Sequence, residues 1–178
     1  DDIGTGWVRG ALTIPECADG RTRTYQCADS VPRSECEAFD LKADFFALQS
    51  YPDHSAKLRL QLGGADFATT DGMVLEIRDT RLLRGKLSER LAVGPDENIR
   101  AGLGLFRRCP GSTQNFQLFG SITFSRFGLE SDDRVTGVID GVEVRDGRSG
   151  DPGTVLGYLR GRFDFSIQAG PPYQRFQM

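Results

Sequence analysis

"TVLGYLRGRFDFSIQ", residues 154–168, sets Val155, Leu159, Phe163, Phe165 and Ile167 against Tyr158, Arg160, Arg162, Asp164 and Ser166. Apolar and polar side chains alternate with a period of two, which marks a strand with one face in a core and the other in water. The rhythm recurs along the chain. "AKLRLQLGG" sends Leu58, Leu60 and Leu62 one way and Lys57, Arg59 and Gln61 the other. "WVRGALTI", "GMVLEIRD", "IRAGLGLF" and "NFQLFGSITFSRF" behave alike, with Val8, Met73, Ile99 and Phe116 opening their apolar faces. Most of the 22 glycines and eight prolines fall between these runs, at "LGGADFATTDG", "VGPDE", "CPGSTQ" and "RDGRSGDPG". Residues 39–50, "FDLKADFFALQS", fit either a strand or a short helix, and "LSERLAV" (87–93) is the best helical turn. The sum predicts one all-β domain over residues 1–178, an antiparallel β-sandwich or jelly-roll-like fold of about 8–10 strands. A lipid-spanning barrel also alternates, but four cysteines and short irregular strands speak against it.

Composition narrows the class. Hydrophobic content of 38% and charged content of 26% describe an ordinary folded domain. A net charge of −3, from 22 basic and 25 acidic residues, comes without any basic block, so nucleic acid is not the expected partner. No apolar run reaches the roughly 18 residues that a spanning helix needs. The opening "DDIGTG" carries no leader, which fits a cytosolic chain or the mature form of an exported one.

The cysteines separate these two. Cys17, Cys27, Cys36 and Cys109 contain no C-x-x-C, and His54 is the only histidine, so zinc spacing is missing. An even count then points to two disulfides and an oxidising compartment, secreted or at the cell surface. Cys27 and Cys36 bracket the turn-like "ADSVPRSE", which leaves Cys17 for Cys109. Of the three possible pairings this one is preferred.

Catalytic patterns are scarce. His54 sits in "SYPDHSAK", turn composition, and no G-x-S-x-G elbow, P-loop or dinucleotide fingerprint occurs. No catalytic residue is assigned and the chain is read as no enzyme. Seven acids lie between Leu129 and Gly153. Taken as one uninterrupted strand, "VIDGVEVRD" points Asp140 and Asp146 one way and Glu143 the other. Asp146 and Asp151, across a Gly-rich loop, remain as candidate calcium ligands, calcium being the only cofactor in view. Turn geometry accounts for the remaining Asp–Gly content. Among the aromatics, Tyr158 lies on the polar face of its strand, and Tyr173 and Phe176 follow a Pro-Pro spacer in "AGPPYQRFQM". These three are the candidate ligand or partner contacts.

"GVEVRDGRSGDPGTVLGYLRG" resembles the strand–loop–strand core of a CUB domain, with "LEIRDT" as an echo. It departs where that family has its cysteine, at Leu159-Arg160, and membership is rejected. A longer likeness runs through "VRGALTIPEC", "DFFAL", "LRLQLGGADFATTDGMVLEIRDT", "FGSITF" and "GRFDFSIQAGPPYQRF". In that order these are similar to uncharacterised exported lipoproteins of myxobacteria. That resemblance implies export and an envelope role, and it brings no catalytic residues.

The expectation is therefore a non-enzymatic, secreted or cell-envelope protein, an interaction or assembly subunit of a surface complex or filament. The alternative is a carbohydrate-binding module, calcium-stabilised. If residues 170–178 form a docking tail, deleting them should lower the solution mass of the assembly in light scattering; an unchanged mass would refute tail docking.

Overall fold

The computed structural model describes residues 4–26, 38–63, 69–110, 116–147 and 153–167. Its strands are β1 (Gly4–Ile14), β2 (Arg23–Tyr25), β3 (Phe39–Ala43), β4 (Phe45–Ser50), β5 (Ala56–Gln61), β6 (Asp71–Ile77), β7 (Arg90–Val93), β8 (Ile99–Leu105), β9 (Phe116–Phe127), β10 (Arg134–Asp146) and β11 (Val155–Ser166). One short helix, α1 (Thr80–Arg84), lies between β6 and β7. The all-β expectation holds. Eleven strands stand among the described residues where eight to ten were expected, and they form one curled sheet instead of the two layers of a sandwich.

Closure explains the difference. Residues 39–50 are one nearly continuous extended run, interrupted at Asp44. Its first half pairs with β1, Ala43 opposite Gly6, and its second half pairs with β5, Phe45 opposite Gln61. The two ends of the sheet are thus joined by the run that also read as a possible helix. Going round, β1, β3–β4, β5, β6, β8, β9, β10 and β11 follow one another as antiparallel neighbours, and β11 returns to β1. This is an eight-walled barrel. β7 wedges between β8 and β9, antiparallel to β9 and touching β8 in parallel at Val93 and Ile99, which makes the sheet mixed.

Apolar alternation supplies the interior. Phe39, Phe46, Phe116, Phe124, Phe163 and Phe165 are buried there. Phe46 of β4 stacks on Phe165 of β11 with centroids 5.1 Å apart, over the glycines Gly4 and Gly6 of the intervening β1. Rings this large need room opposite them. Gly137 faces Phe163, and a Cβ there would stand 2.5 Å from Phe163 Cζ; at Gly6 a Cβ would stand 2.6 Å from Phe46 Cε1. Such large–small pairing fills a narrow barrel with side chains. The outward face carries Lys57, Arg59, Glu76, Arg100, Arg160 and Arg162, the reverse of a lipid-spanning barrel. No helix among the described residues is long and apolar enough to cross a membrane.

Both ends are stoppered. At one, Cys17 after β1 bonds Cys109 after β8, two walls on opposite sides of the ring. Ala18 N–H donates to Pro110 C=O beside them. The bridge joins positions 92 residues apart, and on the chain-entropy account such a loop is worth about 4–5 kcal/mol. The pairing is the one preferred from the sequence. Cys27 and Cys36 lie outside the described residues. Asp71, 1% exposed, anchors the same stopper: its Oδ1 accepts from the amides of Arg107 and Arg108, and its Oδ2 from Arg108 Nη1 at 2.8 Å. Arg108 also donates to Asp40 C=O and lies 4.9 Å from the Phe39 ring centroid.

At the other end α1 buries Leu83. Asp79 caps the helix by accepting from Arg81 N–H, and the Arg81 side chain on the same carboxylate holds its pKa down to about 2. The helix thus falls at residues 80–84, upstream of the expected turn at 87–93, whose second half is β7. A cap residue outweighed helical composition there.

Two stability predictions follow from the stoppers. Arg108→Leu strands the Asp71 carboxylate in the interior and should cost about 3 kcal/mol in denaturant unfolding. Asp79→Ala should lower the melting temperature at neutral pH. Because the folded pKa is depressed, that contribution is complete above the ordinary carboxylate range and fades as pH falls, so the gap between variant and parent should close below about pH 2.

Candidate functional site

Aromatic rings occupy the described interior, and on the outer face cross-strand register decides which side chains meet. Tyr158 stands opposite Glu143 on β10 and Ala11 on β1, and Glu143 stands opposite Phe119 on β9. Tyr158 is 64% exposed and its hydroxyl lies 3.5 Å from Glu143 Oε1. Glu143 Oε2 accepts from Arg145 Nη2 at 2.7 Å, and the Arg145 guanidinium lies 4.4 Å from the Phe119 ring centroid. A continuous outward strip of aromatic, acid, base and aromatic therefore crosses three strands. Val155 and Val138, 40% and 48% exposed, are the other large apolar side chains that β11 and β10 present to solvent. The sequence singled out Tyr158 alone; Phe119 was legible as the ring out of phase in "NFQLFGSITF".

The acid cluster needs a correction. Asp140 was expected to face away from Glu143. The β10–β9 and β10–β11 pairings both shift between Ile139 and Val142, and a bulge there absorbs a residue. Ile139 and Val142 both point inward while Asp140 turns outward, onto the same face as Glu143. The two acids still do not converge. Asp140 accepts from Thr123 Oγ1 at 2.8 Å, and Glu143 is held by Arg145. Asp133 Oδ2 accepts from the amides of Leu129 and Glu130, and Asp132 takes a positive φ of 68°, so this pair builds a turn. Asp146 is half-buried and its N–H donates to Thr154 C=O. Its expected calcium partner Asp151 lies outside the described residues, as do Tyr173 and Phe176. Among the described residues no three His, Cys, Asp or Glu side chains gather as a metal site.

His54 is exposed at a φ of 69° in the turn between β4 and β5, where its backbone N–H donates to Tyr51 C=O and its C=O accepts from Thr80 N–H. Among the described residues no carboxylate hydrogen-bonds its ring. On the far wall a cleft of about 440 Å3 opens over Val74 and Gly102, between Arg59, Gln117 and the turn at Gly94 and Pro95. Its charges are laced together: Lys57 pairs with Glu76 at 3.3 Å, and Arg100 Nε donates to Pro95 C=O.

Known proteins add nothing to this geometry: no family model, no curated protein and no solved structure matches the chain.

Proposed function

We propose that the chain is a non-enzymatic assembly subunit of the cell surface or secreted space that contacts a further copy of itself through the outer face of β10 and β11. The observation that carries this reading is Tyr158, the most exposed of the large apolar or aromatic side chains on the described face, fixed on a strand paired on both sides. An aromatic on rigid backbone loses little freedom on binding, and Tyr is enriched among the residues that dominate interfaces. Val138 and Val155 would widen the contact, and the Glu143–Arg145 pair gives it a polar rim. The Cys17–Cys109 bridge is consistent with an oxidising compartment.

A second reading, a carbohydrate-binding module, uses the same ring: a tyrosine beside a carboxylate can stack on a sugar and accept from its hydroxyls. One substitution separates the two. Tyr158→Ala should weaken self-association by about tenfold or more in sedimentation without lowering the melting temperature, since an exposed ring contributes little to the core. A parent chain that stays monomeric at high concentration would refute assembly. A parent that is retained on neutral glycans, with retention lost in the variant, would establish the second reading.

A further inference from the structure

We propose that the outer face of β3, β1 and β11 binds acidic polysaccharide through Arg9, Lys42, Arg160 and Arg162, grouped around Trp7. Register builds this array. Trp7 lies between Lys42 on β3 and Arg162 on β11; in the next outward row, Arg9 lies between Asp40 and Arg160. Arg9 and Arg162 lie over the half-buried indole, their guanidinium carbons 4.7 and 5.9 Å from its centroid, and Trp7 thereby fixes both cations.

Some outward cations of this barrel stand beside acids on neighbouring strands: Lys57 with Glu76 at 3.3 Å, Arg134 with Asp164 at 2.6 Å. Here Arg9 is directly opposite Arg160, a like-charge pairing that destabilises a sheet. Asp40 neutralises Arg9 alone, at 2.9 Å. Among the described residues no carboxylate lies within ion-pair distance of Lys42, Arg160 or Arg162. Three uncompensated cations around one tryptophan, on a chain of net charge −3, are complementary to a polyanion.

The form of the array selects the polyanion. It lies on the outer wall of the barrel and outside the described cleft, so it fits a chain lying across strands better than a small molecule needing enclosure. It offers no row of free aromatic faces, whereas single-stranded nucleic acid is gripped by successive stacked bases. Lys42 and Arg162 are two strand spacings apart, roughly 10 Å, which suits carboxylate or sulfate groups on successive sugars. The site adjoins the assembly face, since Arg162 stands opposite Val138 and Arg160 lies one row from Tyr158, so the Tyr158→Ala chain, which lacks the assembly contact, should bind acidic polysaccharide as the parent does.

Binding of the whole chain to heparin, polygalacturonate, neutral dextran, single-stranded DNA and phosphatidylglycerol vesicles would test it. The expected result is binding to the two acidic polysaccharides and not to dextran, weakening as salt rises. R160E/R162E should reduce that affinity by about tenfold or more, while R84E/K86E, an equal charge change on the α1 end, should leave it within about twofold. R160E alone should raise the melting temperature, because glutamate would then face Arg9. If the double reversal fails to fold, K42Q/R162Q with W7A gives the same reading. No binding to either polysaccharide, equal losses in both double reversals, or preference for DNA or vesicles would overturn the proposal.

Discussion

Closure of the sheet through residues 39–50 is the constraint on which the remaining structure depends. β1 and β5 each have a strand edge that would otherwise stay unpaired, and one extended run, broken only at Asp44, satisfies both. Backbone hydrogen bonding makes this necessary, because unpaired N–H and C=O groups at an edge are costly when buried and adhesive when exposed. Once the ring is closed, every inward residue shares one narrow lumen. Seven phenylalanines are buried among the described residues, with Gly6 and Gly137 opposite two of them.

A filled lumen also shapes function. Barrels that carry small ligands keep an interior cavity, and here that space is occupied by rings. The ends are sealed by different chemistry: a disulfide with the buried Asp71–Arg108 pair at one, a capped helix with Leu83 at the other. Outside this interior stands the barrel wall. Strand register arranges that wall in rows, so that residues far apart in sequence, such as Lys42, Trp7 and Arg162, become neighbours while adjacent residues point apart.

Much of this was legible beforehand. Period-two alternation marked the strands, and "TVLGYLRGRFDFSIQ" matches β11 with its inward Leu159, Phe163 and Phe165. One feature was left open and three were misread, among them Val155, read as inward but exposed beyond a register shift in the β10–β11 pairing. Residues 39–50 looked ambiguous because they serve two neighbours around a break. The helix sits at 80–84 since the Asp79 cap and Leu83 burial count for more there than composition downstream. Asp140 faces outward because a bulge breaks the parity on which the alternation argument rests.

The order of amino acids alone established that this chain is built of strands and, away from the bulges, which residues face the core, and it made Cys17–Cys109 the preferred of three pairings. Those features follow from local periodicity and from counting. Whether the strands stack as two sheets or close into one was settled in three dimensions, because closure depends on the pairing of β1 and β5 with a shared run between them. The basic rows around Trp7 are of the same kind: no basic block exists along the chain, and antiparallel register assembles one from three strands.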